Sequence, residues 1–275
     1  MIILDGNKLA KEILEDLAGE IREKQLQLKT AVILLGNNLI SSSYVNKKKE
    51  ACETVGVGFQ LFNFPSDIGG SELREKIKKI IDDKSISGIV IQLPLPQKVD
   101  TSEILNLIPV SKDIDVLSDA SFEKFSKNNL PILPPVVGAV NYIFEKYKIP
   151  IKGKKIVLIG KGKLVGKPLS VWLTNNEAEF YFIDKSVGNV GDFTKNSDII
   201  ISGAGFPGLV KKDMIKAGAV LIDVGTSSEN GKIKGDIDSS AYQKASYVAP
   251  VPGGVGPLTI ACLISNLVKI NQKYE

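Results

Sequence analysis

Apolar and polar positions along the chain predict two series of alternating helices and strands. The first series begins with an amphipathic helix at 7–29 and a buried strand at 30–36. An alternating strand at 58–64, a helix at 71–83 with Ser71 as its expected N-cap, and a second buried strand at 86–96 follow. The lysine-rich stretch at 41–52 is helical in its spacing. Strands that alternate with helices favour an α/β fold with parallel sheets and right-handed crossovers.

The stretch 109–135 is rich in turn-forming residues and predicts a boundary or hinge. A helix at 136–148 follows it, and a second series begins. Its four predicted strands lie at 154–160, 178–184, 198–205 and 219–225. Two helices are predicted at 168–176 and 211–218, and a final apolar helix at 258–270.

Composition narrows the classes of function. The chain has 275 residues, of which 43% are hydrophobic, so it can form one or two domains. Its formal charge of +4 is spread out, which argues against a nucleic-acid partner and suits small anionic ligands. No apolar run approaches the roughly 18 residues that a membrane span needs, and no basic segment precedes Asp5. We therefore expect a cytoplasmic protein without membrane contact.

The sequence contains no histidine and only two cysteines, Cys52 and Cys262. The absence of imidazole excludes Ser-His-Asp chemistry, and no cysteines stand at metal-ligand spacing, so we expect no metal. The two distant cysteines fit free thiols in a reducing compartment, although their spacing alone leaves pairing open.

A glycine-rich loop joins the strand at 154–160 to the following helix. Gly160, Gly162 and Gly166 stand where a dinucleotide site needs a tight turn, a close backbone approach and a helix N-terminus facing the pyrophosphate. The spacing is one residue longer than the usual fingerprint. A tight strand-to-helix turn without a ligand is the alternative interpretation.

The choice between NAD and NADP stays open at the level of the residues. Asp184 ends the next strand, where an acid bonds the ribose 2′-hydroxyl of NAD. Lys161, Lys163 and Lys185 stand close by and could hold the 2′-phosphate of NADP.

Tyr44 and Lys48 lie four residues apart, on one side of the predicted helix. A run of lysines is usually a solvated helix face, and from the residues alone this is the simpler interpretation of the whole stretch, including Lys47, Lys48 and Lys49.

Several segments together resemble the methylenetetrahydrofolate dehydrogenase/cyclohydrolase family. They are ILDGNKLA, SSYVNKKKEACETVGV, GIVIQLPLP, KDID, GKGKLVGKPLS, DMIKAGAVLIDVGT, GDID and APVPGGVGPLTIACLI. The resemblance implies an α/β folate-binding lobe at residues 1–118 with 257–275, a Rossmann-type NAD(P)-binding lobe at 119–256, a cleft between them, and a homodimer.

The resemblance also implies two reactions on tetrahydrofolate derivatives, with or without a polyglutamate tail. First, 5,10-methylenetetrahydrofolate is oxidised to the 5,10-methenyl cation with NADP as the expected cofactor and NAD as the alternative. Water then opens that cation to 10-formyltetrahydrofolate. A dehydrogenase without the hydrolase activity and a non-catalytic NADP-binding protein are the rival interpretations.

By the same resemblance, Lys48 is the catalytic residue, Tyr44 stacks near the folate, Gln92 orients the lysine and Asp115 receives the pterin. The turn formed by Pro252, Gly253 and Gly254 closes on the folate. The residues implied at the cofactor are Gly160, Lys161, Gly162, Lys163, Val165, Gly166, Asp184, Lys185 and Thr226.

The sequence departs from the family pattern in four places. Val116 follows Asp115 where the family usually has glycine, and LPPVVG at 133–138 has lost a cysteine and a threonine. Lys161-Gly162 replaces Arg-Ser, and Asp184-Lys185 replaces His-Ser. A short-chain dehydrogenase, which shares the Tyr-x-x-x-Lys spacing, is rejected because there the motif follows the dinucleotide fold.

Overall fold

The computed structural model describes residues 1–184, 186–229 and 232–272. In chain order its strands are β1 (Ile2–Ile3), β2 (Lys29–Leu35), β3 (Gly58–Phe64), β4 (Gly88–Ile91), β5 (Ile156–Ile159), β6 (Phe180–Ile183), β7 (Ile199–Ser202), β8 (Val220–Asp223), β9 (Ser227–Glu229), β10 (Lys232–Lys234) and β11 (Tyr247–Ala249). Its helices are α1 (Gly6–Glu23), α2 (Leu39–Val55), α3 (Gly70–Asp82), α4 (Thr101–Leu105), α5 (Asp119–Ser126), α6 (Pro135–Lys146), α7 (Gly166–Asn175), α8 (Gly191–Thr194) and α9 (Val255–Gln272).

The chain forms two compact units. One contains Lys11–Pro135 and the C-terminal segment from Ile260, and the other contains Met1–Ala10 and Val136–Thr259. Contacts group the first residues with the second series of strands, and the first long segment of the other unit ends at Pro135.

The first unit contains a three-stranded parallel sheet of order β3-β2-β4. The central strand β2 is an almost continuous apolar run, because helices and neighbouring chain cover both of its faces. Ile33 pairs with Phe62 on one side and with Ile91 on the other. This register places the chain that follows β4, beginning at Gln92, at the carboxyl edge of the sheet.

The second unit contains a six-stranded parallel sheet of order β1-β11-β8-β7-β5-β6. Strands β5, β7 and β8 are buried along their whole length. Because all strands run the same way, the loops that follow β5, β7, β8 and β11 meet at one edge of the sheet. Ligands of open α/β sheets bind at this edge.

The mixed α/β class and the parallel sheets are confirmed. Two local predictions were wrong. Gly69 rather than Ser71 precedes α3, without a side-chain cap, and the Ser71 hydroxyl instead accepts a hydrogen bond from Arg74. Only Lys212–Met214 forms a 3₁₀ turn in the stretch predicted as a helix at 211–218. The stretch 109–135, predicted as a boundary or hinge, ends where the chain divides into its two units, and it also contains the helix α5, which the Ser118 side chain caps.

Within the described part of the chain, no helix is long and apolar enough to cross a membrane.

Candidate active site

The structure brings Lys48 of α2 into direct contact with the segment that follows β4. Lys48 Nζ donates a hydrogen bond of 2.8 Å to Oε1 of Gln92. The amide nitrogen of Gln92 donates to the backbone carbonyl of Leu93, also at 2.8 Å. Gln92 is buried, at 9% exposure, so its amide is fixed with the oxygen directed towards the lysine.

The environment of the Lys48 side chain differs from that of the neighbouring lysines on α2. Burial lowers the pKa of Lys48 below its ordinary value of 10.5, and the nearby Asp115 carboxylate opposes this effect. Lys47 and Lys49 are exposed, and Lys49 Nζ lies 3.7 Å from a Glu53 carboxylate oxygen. The solvated-face interpretation fits these two lysines, whereas Lys48 has the environment of a functional amine.

Tyr44 lies one turn before Lys48 and is half-buried. The Lys47 ammonium lies 5.8 Å from the centre of the Tyr44 ring, at cation–π distance. Because Tyr44 precedes Lys48 by four residues, the two side chains lie on the same face of α2, and Lys47 places a second cation beside the ring.

Asp115 contributes a carboxyl group to the same unit. Burial raises its pKa to about 6, the Lys48 ammonium acts in the opposite direction, and Asp113 adds to the increase. A carboxylate and an amine that interact inside a poorly solvated region are the elements of acid–base chemistry.

The segment around Asp115 is held by a network that sequence reasoning missed. The Asp113 carboxylate accepts hydrogen bonds from the Ser118 hydroxyl at 2.6 Å and from the backbone N–H groups of Ser118 and Leu117 at 2.9 and 3.2 Å. The Ser118 hydroxyl also caps α5. The sequence feature that could have indicated this network is the spacing of Asp113 and Ser118, an aspartate followed five residues later by a serine at a helix N-cap.

Val116 takes the place of the family glycine at a demanding backbone position. Its φ angle is +56°, in the left-handed region, and its side chain is buried at 1% exposure. A β-branched residue is strained there, at a cost of about 1–3 kcal/mol. Glycine adopts this conformation without strain.

The glycine loop has the shape expected of a pyrophosphate cradle. Gly160 has a φ of +99°, and a Cβ on Gly166 would lie 1.6 Å from the Gly160 carbonyl oxygen, so neither position accepts another residue without rearrangement. A Cβ on Gly162 would meet nothing within 4 Å. Val165 offers no side-chain cap to α7. The open position and the uncapped helix N-terminus fit a dinucleotide phosphate.

Asp184 lies at the end of β6, opposite the glycine loop. Its carboxylate accepts hydrogen bonds from the N–H group of Ser186 at 2.9 Å and from the Ser186 hydroxyl, and Lys161 Nζ lies 3.6 Å away. The Ser186 hydroxyl is the main reason that the pKa of Asp184 is lowered. Lys163 is exposed, and Lys185 lies outside the described residues.

The remaining predicted positions belong to the same unit as the glycine loop. Thr226 is exposed and lies in the loop between β8 and β9. In the turn after β11, Gly253 has a φ of +98° and its carbonyl accepts a hydrogen bond of 2.8 Å from the N–H group of Gly6. A Cβ on Gly6 would lie 1.6 Å from the Gly254 carbonyl oxygen, so the turn, including Pro252, packs tightly on the N-terminal segment.

The parallel sheet, the glycine loop and the acid at the end of β6 define an α/β protein of the dinucleotide-binding class. The catalytic-domain model of tetrahydrofolate dehydrogenase/cyclohydrolase matches residues 4–115, and the model of its NAD(P)-binding domain matches residues 134–275. The chain therefore belongs to the tetrahydrofolate dehydrogenase/cyclohydrolase family.

Individual relatives agree with this assignment over nearly the whole chain. The chain is 39% identical to the bifunctional protein FolD of Hydrogenobaculum sp., with 98% of each protein covered. The crystal structure of the bifunctional FolD enzyme of Campylobacter jejuni superposes with a TM-score of 0.94, at 35% identity and full coverage of both chains. The FolD enzyme of Trypanosoma brucei, solved with NADP and an inhibitor, also has a TM-score of 0.94, at 30% identity, with 99% of this chain and 98% of that one covered.

Proposed function

We propose that this protein oxidises 5,10-methylenetetrahydrofolate to the 5,10-methenyl form with NADP and hydrolyses the product to 10-formyltetrahydrofolate. Family membership over both domains supports the two activities, and the NADP complex of the Trypanosoma brucei relative supports the cofactor. The observation that carries the hydrolase activity is the hydrogen bond of 2.8 Å between Lys48 and Gln92, which holds a desolvated amine in place.

The oxidation step requires few catalytic groups from the protein. The nitrogen lone pairs of methylenetetrahydrofolate expel the hydride, so this step needs orientation rather than a strong base. The bound dinucleotide supplies the hydride acceptor. Gly160, Gly162 and Gly166 hold its pyrophosphate through backbone groups and the N-terminus of α7, and Val165 and Thr226 complete this lining. Lys161, Lys163 and Lys185 supply positive charge beside Asp184.

The hydrolysis requires proton transfers, and Lys48 is the residue that performs them. A neutral amine accepts a proton from the water that attacks the methenyl carbon, and the resulting ammonium returns a proton to the ring nitrogen that leaves. Burial lowers the pKa of Lys48 and so makes the neutral amine available at a lower pH than for an exposed lysine. Gln92 keeps the amine in one position throughout.

Asp115 and Tyr44 bind the substrate. With a pKa of about 6, the Asp115 carboxyl group is ionised at neutral pH and accepts hydrogen bonds from the amino-pyrimidine edge of the pterin. The half-buried ring of Tyr44 stacks on the folate. Pro252, Gly253 and Gly254 close on the substrate through their backbone.

The wider organisation follows the family. Residues 1–118 and 257–275 make up the folate-binding domain, and residues 119–256 make up the cofactor-binding domain. The protein acts in the cytoplasm as a homodimer, on folates with or without a polyglutamate tail.

One assay tests the proposal directly. Purified protein is mixed with 5,10-methylenetetrahydrofolate and with NADP or NAD in separate cuvettes, and the reduced cofactor and the methenyl absorbance are recorded together. Reduced cofactor without accumulation of the methenyl form is the expected result, with NADP the faster substrate. Accumulation of the methenyl form at the rate of cofactor reduction would eliminate the hydrolase activity. No reaction with either cofactor would overturn the whole proposal.

A further inference from the structure

Two fully buried carboxyl groups lie beneath the cofactor loops and take no part in the proposed chemistry. Asp223 ends β8, and Asp236 follows β10; both are at 0% exposure. Buried carboxylates are costly unless hydrogen bonds satisfy them, so their partners indicate what they hold.

The Asp236 carboxylate holds the loop that follows β7. It accepts hydrogen bonds from the N–H group of Ala204 at 2.6 Å and from that of Phe206 at 2.7 Å. The Ser202 hydroxyl donates a third bond, of 2.8 Å. A single side chain therefore satisfies three donors of one short segment, Ser202–Phe206, which we call the β7 loop.

Asp223 in turn holds the backbone that carries Asp236. Its carboxylate accepts hydrogen bonds from the N–H groups of Ile237 and Asp236 at 2.8 and 3.1 Å, and from that of Gly225 at 3.0 Å. A Cβ on Gly225 would lie 2.1 Å from the Asp236 carboxyl group, so the loop after β8 is packed directly on that carboxyl. Asp236 therefore lies in a fixed position between the β7 loop and the loop after β8.

The β7 loop lies directly against the glycine loop. A Cβ on Gly203 would approach Cγ1 of Val165 to 2.3 Å, and a Cβ on Gly160 would approach the Gly203 carbonyl oxygen to 2.4 Å. Contacts this close leave no room for independent movement of the two loops, because packed protein interiors transmit displacements rather than absorb them. The position of the β7 loop therefore limits the conformations that the glycine loop can adopt.

We propose that Asp236 is a positioning residue for the dinucleotide site: its carboxylate fixes the β7 loop, and that loop keeps the glycine loop in the form that binds NADP. This inference rests on the proposed function, since it assigns the glycine loop to NADP. A carboxylate that only stabilised the fold would affect both activities of the protein together, whereas a positioning residue affects the one that needs the dinucleotide.

The test compares Asp236→Asn with a matched control, Asp238→Asn. The first variant is isosteric but replaces an acceptor oxygen by an N–H₂ group that faces backbone donors. Asp238 is two residues further on, is half-exposed, and accepts a hydrogen bond of 2.8 Å from the Ser240 N–H group outside the β7 loop. The dissociation constant of NADP is measured by isothermal titration calorimetry, and hydrolysis of methenyltetrahydrofolate is measured without any dinucleotide.

In Asp236→Asn we expect NADP to bind at least about tenfold more weakly while the rate of methenyl hydrolysis stays within about twofold of the parent. Asp238→Asn is expected to match the parent in both measurements. An unchanged dissociation constant in a folded Asp236→Asn protein would overturn the inference. So would an equal loss of NADP affinity and hydrolysis, since that outcome assigns the carboxylate to general stability.

If Asp236→Asn does not fold, Ser202→Ala decides the matter, because it removes one donor of the β7 loop and leaves the carboxylate in place. NADP should then bind about threefold more weakly with hydrolysis unchanged, and an unaltered dissociation constant would refute the inference. Failure of the parent protein to bind NADP is a different result: it overturns the proposed function, and the inference with it.

Discussion

Lys48 Nζ lies 2.8 Å from Oε1 of Gln92, an acceptor that carries no charge. A carboxylate at this position would stabilise the ammonium form and raise the pKa of Lys48, whereas an amide oxygen fixes the side chain without that effect. The pairing therefore gives a lysine that is both held in place and able to lose its proton, which is the combination that a proton-transfer catalyst needs.

Replacing Gln92 by Glu tests this relationship. The added negative charge should raise the pKa of Lys48, lower hydrolysis of methenyltetrahydrofolate at neutral pH by about tenfold and move the rising limb of the pH–rate profile upward by about one pH unit. The profile is recorded by the loss of methenyl absorbance. A lower rate with the limb in its original position would show that Gln92 acts on geometry alone.

Replacing Lys48 by Met should reduce methenyl hydrolysis by at least about 100-fold, because the variant has no group to exchange protons with the attacking water. NADP affinity should stay within about twofold of the parent, as measured by calorimetry. Lys49→Met is the matched control, since Lys49 is exposed on the same helix. Retained hydrolysis in Lys48→Met would refute the proposed mechanism.

The raised pKa of Asp115 predicts how substrate binding depends on pH. In the proposed substrate complex the carboxylate accepts the pterin donors only when it is ionised, so the KM for methenyltetrahydrofolate should rise as the pH falls through about 6. In Asp115→Asn the KM should be high at every pH and should lose this dependence. Initial rates between about pH 5 and about pH 8 provide the measurement. The same inflection in the variant would assign it to another group.

Asp184 is expected to disfavour the 2′-phosphate of NADP, although Lys161 at 3.6 Å offsets part of its charge. Asp184→Ser should raise the ratio of kcat/KM for NADP to that for NAD by about tenfold, because a like-charge contact disappears. Asp213→Ser, which removes an exposed carboxylate in the same unit, serves as the control. No change in the ratio would mean that the carboxylate is directed away from the ribose.

Two glycines of one loop should respond differently to alanine. Gly166→Ala places a Cβ 1.6 Å from a backbone oxygen and should destabilise the fold by about 3 kcal/mol or more. Gly162→Ala meets open space and should leave the free energy of unfolding within about 0.5 kcal/mol.

NADP binding separates the alternatives for that open space. Gly162→Ala should bind NADP about tenfold more weakly if the pyrophosphate occupies the space, as calorimetry will show. Parent-like affinity would place the phosphate elsewhere.

The buried strands could be predicted from the sequence because their apolar runs are long enough to form a pattern. Strands β2 and β5 are examples, since neighbouring chain covers both faces of each. By contrast, β1 and β11 contain two and three residues, and no periodicity can emerge from segments so short. The stretch 211–218 has helical spacing but forms only one 3₁₀ turn, because tertiary packing overrides local propensity.

The residues of the candidate site could be predicted as a group only from the resemblance to the family, because local sequence patterns do not connect residues that are distant along the chain. Lys48 and Gln92 are 44 positions apart, and no spacing rule connects them. Asp236 is 32 positions from the Ala204 N–H group that it holds, so its role emerged only from the folded chain. The left-handed backbone at Val116 was also hidden, since a valine gives no sign of it.

The absence of histidine has a consequence for how this protein exchanges protons with its surroundings. Burial raises the pKa of both cysteines to about 12, which removes them from the neutral range, while Asp115 and Asp223 enter it with pKa values of about 6 and about 7. In most proteins imidazoles mask such groups. Here, calorimetry of ligand binding in buffers of different ionisation enthalpy would register proton uptake or release by the interior carboxyl groups and by Lys48, with no contribution from imidazole.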